Sequence, residues 1–343
     1  MQRLVLGLHS WELLALLTVA ALAFVYAAAI HAVDPRGDFG RRPTAGVVLD
    51  ARAEKIKRFQ SSAAGPMDGL ILGSSRSMKL DPAPLEKATG HRFFNFSVEG
   101  ARAEDYLEIY RWVRSQDAHP RVVIIGLDVE ALHSDDRHEA RRPLPAAGEA
   151  KPASRWHVFR YRVSLEKKAF GASYLGDAVR ALAFLPWSSR LPFYAFGPDG
   201  YLRYPQLEER RAWGTFDLDR RVADCLPVYQ ERFKSMTGLS ASRRRDLEET
   251  VREATADGAR VIVWLTTLHP RAVEYLGRRT RYALLAATTR TYLETLAREP
   301  QVRVLDLSEA GRYGASLTGW YDCAHIDEDN AARVMARLAT AIR

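Results

Sequence analysis

Residues Arg121–Leu127 read RVVIIGL, with no polar side chain after the first position. A strand that is apolar on both faces must be covered on both, as in the interior of a parallel sheet flanked by helices. Gly69–Leu72 (GLIL) and Arg260–Thr267 (RVIVWLTT) have the same character, and HRFFNF at 91–96 and VRVLDL at 302–307 are further strand candidates. Helical signals alternate with them. Asp81-Pro82 sets up a helix start, with proline at the first helical position. In EDYLEIYRWVRSQ, Tyr106, Ile109, Tyr110 and Val113 fall on one helical face. A helical stretch follows in SRRRDLEETVREATADG, and a long one from roughly 271 to 298. In the last helix Ala331, Val334, Leu338 and Ile342 share a face, Asp327 is the expected N-cap, and Glu328 and Asp329 suit the positive helix end. This rhythm predicts a three-layer α/β fold with function at the carboxyl ends of the strands.

The pattern loosens between about 134 and 236, which is rich in aromatics, prolines and glycines. It is too aromatic for a disordered segment and reads as an insertion packed over the core, one wall of a cleft. The expected organisation is an anchor or signal segment with linker at 1–42, the first part of the α/β domain at 43–133, the insertion or cap at 134–236, and the second part at 237–343.

The amino-terminal segment obeys a different rule. Leu13–Ile30 is eighteen residues without a charge, near the lower limit for a membrane-spanning helix. Charges of both signs flank it, so the positive-inside bias leaves its orientation open. The expectation is an uncleaved single-pass anchor in a bacterial inner membrane, with the body in the periplasm or otherwise outside the cytoplasm. A cleaved signal peptide competes, because AAAIHA offers small residues to a peptidase.

Two cysteines, Cys225 and Cys323, are too few for a disulfide scaffold and too far apart in sequence to suggest a zinc site. A location outside the cytoplasm would permit a bridge between them, but sequence alone leaves open whether they meet. The net charge of +8 comes without a Lys/Arg block of the kind nucleic-acid binding calls for. No P-loop, dinucleotide fingerprint or metal-ligand cluster stands out, so the expected chemistry uses no cofactor and no metal. His133 lies near Asp128, a pair that falls short of a metal site.

The chemistry-bearing segment is DGLILGSSRS at 68–77. Ser75 would sit just past a strand end, where a following turn can aim backbone N–H groups at developing negative charge. A serine hydroxyl needs a base to become a nucleophile. Asp322 and His325 supply the remaining parts, three residues apart in a turn before the last helix. The carboxylate can hold one imidazole nitrogen while the other faces Ser75.

The chain resembles the GDSL/SGNH hydrolase superfamily, above all membrane-anchored bacterial members that handle acyl groups on cell-surface polymers. GSSR at 73–76 is similar to the first block, which implies Ser75 as nucleophile with Ser74 in place of the usual aspartate. NFSVEGARAEDY at 95–106 resembles the second block and implies that the Gly100 amide joins the oxyanion hole. YDCAHID at 321–327 is similar to the last block, implying Asp322 and His325 as acid and histidine. The matches run over 68–132 and about 259–343. The resemblance implies a flavodoxin-like, SGNH-type three-layer fold carrying an inserted region.

The third block departs from the family pattern of glycine, any residue, asparagine, aspartate. Here the strand ends Gly126-Leu127-Asp128, without the donor asparagine. An ionised Asp128 cannot donate, and losing one oxyanion donor typically costs about 3 kcal/mol in the transition state. Asn95 is a substitute donor or a residue that orders the turn after the second strand. Asp128 is structural or orients substrate. Arg76 binds substrate or holds the nucleophile turn, His269 lines the cleft or starts a helix, and Asp306, in the fifth strand candidate, could support the Asp322 turn but is not counted among the site residues. The expected function is a serine-dependent acyl esterase or O-acyltransferase working outside the cytoplasm. Its expected partners are the membrane, a surface glycan or cell-wall polymer, and a membrane protein that delivers the acyl group if the reaction is a transfer. O-acetyl groups are the acyl species that the resemblance implies. A glycan-binding or assembly protein with a degenerate site is the alternative.

Overall fold

The computed structural model describes residues 10–34, 51–61, 67–134, 191 and 193–343, with separate positions between 159 and 179. A five-stranded, wholly parallel sheet forms its centre: β1 (Gly69–Gly73), β2 (Phe93–Asn95), β3 (Val122–Leu127), β4 (Arg260–Leu265) and β5 (Val302–Asp306). The spatial order is β2-β1-β3-β4-β5, a doubly wound arrangement whose strand order reverses between β1 and β3. Gly73 lies beside Gly126 at the carboxyl ends of those two strands.

Alternate side chains of each strand feed opposite layers, as the two-residue period of a strand dictates. Leu70, Leu72, Val123, Ile125, Val261 and Val263 pack on one face. Helices α4 (Ala103–Ser115), α7 (Ala241–Ala256) and α9 (Tyr282–Leu296) cover it through Tyr106, Ile109, Leu247, Val251, Leu285 and Leu293. Ile71, Ile124, Ile262 and Trp264 face the other way, onto α3 (Pro82–Thr89) and α10 (Glu328–Ile342). The three layers follow from these two cores.

Helix starts follow the capping residues. Asp81 accepts from the Ala83 N–H at 3.0 Å and Asp327 from the Asn330 N–H at 3.1 Å. The long helical stretch expected over roughly 271–298 is made of two helices, α8 (Pro270–Arg279) and α9. Thr280 separates them in extended conformation, its hydroxyl donating to Leu276 O and accepting the Tyr282 N–H. The Thr280 N–H still donates to Leu276 O at 2.9 Å, closing α8, while its hydroxyl takes the Tyr282 N–H in place of a helix carbonyl, so the ladder breaks there.

Of the segment expected as an insertion, residues 135–158 and 181–190 lie outside the described residues. Its later part holds a short antiparallel pair (Ala195–Phe196 with Leu202–Arg203), α5 (Pro205–Ala212) and α6 (Leu218–Lys234). The pair docks beside the edge strand, where Asp199 O accepts the Asn95 N–H at 2.8 Å. Gly200 makes that approach possible, because its φ is +79° and a Cβ there would stand 2.3 Å from Asn95 O.

At the amino end, α1 (Ser10–Val33) includes an apolar stretch, Trp11–Val33, of 23 residues with mean hydropathy 2.5, long enough to span a membrane. Most of its large apolar side chains are exposed. Ile30 packs with Ala169, Tyr174 and Ala178. A further helix, α2 (Ala51–Ser61), sets Ile56 and Phe59 into the main core.

Candidate active site

Past β1 the chain makes consecutive tight turns, with Ser77 N–H donating to Ser74 O and Leu80 N–H to Ser77 O. Within Gly69–Leu80, Ser75 alone is not buried. The turn is packed from below: Ser77 sits so close to the strand ends that a Cβ at Gly73 would lie 2.4 Å, and one at Gly126 1.9 Å, from its Oγ. Glycine at both strand ends is what admits this hydroxyl.

From the far end of the chain, the loop Trp320–Asp327 brings His325 to the serine. His325 Nε2 is 2.9 Å from Ser75 Oγ across 250 residues of sequence. On the other side of the ring, Nδ1 is 2.9 Å from both carboxylate oxygens of Asp322. Asp322 Oδ1 also accepts the N–H groups of Ala324 (2.8 Å) and His325 (2.9 Å). Burial alone would push the Asp322 carboxyl up, but the His325 charge and these hydrogen bonds outweigh it and hold it at about 2. An ionised carboxylate only accepts, so Nδ1 carries the proton and Nε2 is left to accept from the Ser75 hydroxyl.

A second link joins the two segments. Lys79, on the serine turn, pairs with Glu328 at the start of α10, and Tyr321 Oη donates to Glu328 at 2.6 Å. The Lys79 ammonium lies 5.2, 5.1 and 5.2 Å from the ring centroids of Tyr201, Tyr204 and Tyr321. Burial pulls the Lys79 pKa down against Glu328, while Lys79 in turn is the chief group holding Glu328 at about 2 against its own desolvation. Nothing in the sequence singled out this lysine. Tyr194, from the described part of the insert, hydrogen-bonds Glu99 and feels the charge of Asp322, placing the insert beside the site.

Several residues expected at the site do other work. Asn95 is not an oxyanion donor: its amide protons go to Ser77 O (2.8 Å) and Leu80 O (2.9 Å), so it fixes the serine turn from behind. Arg76 is buried and turned away from solvent rather than presented to a substrate. It grips Glu130 at 3.2 and 2.6 Å, donates to Thr266 Oγ1 at 3.3 Å, lies 3.5 Å from Asp128 and stacks on Tyr229. Asp128 likewise accepts from Thr266 Oγ1 at 2.6 Å and from Ser74, and shares the Arg76 charge. Burial raises its pKa, with Arg76 opposing. The carboxylate at the place of the missing asparagine is therefore absorbed by a buried network.

His269 is also not a cleft residue. Its Nδ1 accepts the Arg271 N–H at 3.1 Å at the start of α8, and its ring meets Trp320 edge-on. Asp306 pairs with Arg290 and Arg312, both at 3.2 Å, and gives no support to Asp322. His133 is buried against Leu285 O and Thr289.

Gly100 is exposed with φ +60°, on the loop that Val98 N–H ties to Gly73 O at 3.0 Å. Among the described residues, neither the Ser75 nor the Gly100 N–H has a protein acceptor. Cys225 and Cys323 form a disulfide. Among the described residues no group of three or more His, Cys, Asp or Glu side chains is disposed to hold a metal ion.

No family model and no curated protein matches the chain. Similar solved structures include a protein provisionally described as a platelet activating factor from Streptococcus pneumonia, at 10% identity and TM-score 0.38, covering 85% of this chain and 93% of that one. Another is a provisionally assigned acylhydrolase from Bacteroides fragilis, at 12% identity and TM-score 0.37, covering 82% and 92%. Likeness at this level carries no functional weight, which rests on the site.

Proposed function

We propose that the protein is a serine-dependent acyl esterase or O-acyltransferase of the GDSL/SGNH type, acting outside the cytoplasm on a surface polysaccharide or cell-wall polymer. The observation that carries the reading is the unbroken relay from Ser75 Oγ through His325 to Asp322. In the first half-reaction Ser75 Oγ attacks an acyl carbonyl carbon as His325 Nε2 takes its proton. The carbonyl oxygen becomes an oxyanion facing the free N–H groups of Ser75 and Gly100. The intermediate collapses, His325 returns the proton to the departing hydroxyl oxygen, and the acyl group remains on Ser75. Water, or a polymer hydroxyl deprotonated by His325, then attacks the acyl-serine and frees it. Asp322 holds the tautomer and stabilises the imidazolium throughout.

With Asp128 absorbed below the turn, the hole in this reading is built from backbone donors alone. The apolar α1 supports tethering at a membrane, and the disulfide is compatible with an oxidising compartment on its outer side. The test is incubation of the full chain with acylated glycans and an activated ester, beside its Ser75→Ala form. Acyl release and an acyl adduct that both need Ser75 are expected. Equal turnover by the two forms would overturn the reading, and glycan binding without turnover would point to a binding protein.

A further inference from the structure

The loop Trp320–Asp327 belongs to no strand of the sheet. Its own backbone closes through Tyr321 N–H to His325 O at 2.8 Å and an antiparallel bridge between Trp320 and Ile326. Yet the residues flanking Asp322 are gripped from outside, chiefly by the segment between β3 and β4. Arg211, at the end of α5, donates to Trp320 O, pairs with Asp327, and lies over the rings of Phe216 and Tyr321 at 4.5 and 4.8 Å. Arg221, in α6, donates through Nε to Tyr321 O at 2.6 Å. Cys225, one helical turn further on, is bonded to Cys323. From α8, His269 N–H donates to Cys323 O at 3.0 Å.

None of these three residues of α5 and α6 touches Asp322 or His325 themselves. They fix the backbone on both sides of the carboxylate, and so the place to which the imidazole points. We propose that Arg211, Arg221 and Cys225 are positioning residues, and that α5 and α6 form a clamp holding the acid–base loop in register with Ser75. The proposal rests on the functional reading above. A catalytic group displaced by 1 Å can lose about a hundredfold in rate without any change in its chemistry. A clamp of this kind therefore governs kcat and leaves KM nearly unchanged.

The test compares the parent, Cys225→Ser/Cys323→Ser and Ser75→Ala forms of the full chain, with p-nitrophenyl acetate as substrate, well below each melting temperature. The double cysteine variant should lose about tenfold or more in kcat with KM within about twofold. A parental kcat in that variant, with Ser75→Ala inactive, would overturn the clamp and leave the functional reading standing. If Ser75→Ala keeps the parental rate, both fall. Should the double variant not fold, Arg221→Ala and Arg221→Lys replace it. Alanine should lower kcat, and lysine, which can still donate to Tyr321 O, should restore part of it. An alanine form with parental kcat refutes the clamp.

Discussion

The serine turn and the loop Trp320–Asp327, the acid–base loop of the proposed mechanism, carry the two halves of the proposed site but are made rigid in opposite ways. The turn continues an interior strand. Its support is the parallel ladder, two strand-end glycines that admit Ser77, the Asn95 amide, and the buried group of Arg76, Asp128, Glu130 and Thr266 beneath it. The loop has no ladder to extend. It is held by a disulfide and by arginines from other elements, and the segment leading into it by Asn330, whose amide donates to Ser316 O at 2.9 Å and Gly319 O at 2.7 Å. One half is built into the core and the other is fastened to it. Damage to the first should surface as lost stability, and damage to the second as lost geometry at smaller cost to folding.

The largest effect should come where the halves meet. Replacing Ser75 by alanine is expected to lower kcat for ester hydrolysis by about four orders of magnitude or more, with melting temperature nearly unchanged. A variant retaining a tenth of the parental rate would break the link between the halves altogether. Next, Arg76→Ala removes the cation shared by Asp128 and Glu130 and should cost about 3–5 kcal/mol in denaturant unfolding. A loss below about 1 kcal/mol would show that the serine turn does not depend on the network beneath it. A smaller loss, about 1–3 kcal/mol, is expected for Asn330→Ala, which removes one donor from each of the Ser316 and Gly319 carbonyls and leaves the Ser316 N–H without its Oδ1 acceptor. If Asn330→Ala destabilised as much as Arg76→Ala, the contrast between built-in and fastened halves would disappear.

The gentlest probe is acid. Asp322 and Glu328 both titrate at about 2 in the folded protein, below ordinary carboxylates. Such groups contribute stability that is fully present above the unfolded values near 4, and lost as pH falls through the folded ones. Their contribution to thermal stability should thus fade between about pH 4.5 and 2. Glu328→Gln should flatten that part of the curve, and an unchanged slope would remove Glu328 from the linkage.

Much of this architecture is legible in the chain because its causes are local. Runs such as RVVIIGL announce strands covered on both faces, and the i, i+3, i+4, i+7 set in α4 announces the layer above. Ser75, Asp322 and His325 stand out because strand ends and helix starts put polar groups at predictable places. The division at Thr280 is less legible, because it turns on one hydroxyl taking the Tyr282 N–H in place of a helix carbonyl.

What the sequence by itself determined is the alternation of strand and helix, the apolar α1, and the short list of residues able to do acid–base or nucleophilic work. Tertiary structure alone decided which of them meet. It sent the Asn95 amide to two backbone carbonyls, buried Arg76 against Glu130, gave Asp306 to Arg290 and Arg312, and left Asp322 for His325. Periodicity is fixed by neighbours within a turn or two of chain. A pairing across 250 residues depends on how whole layers pack, and hydrogen-bond partners are settled only when burial denies each polar group the alternative of water.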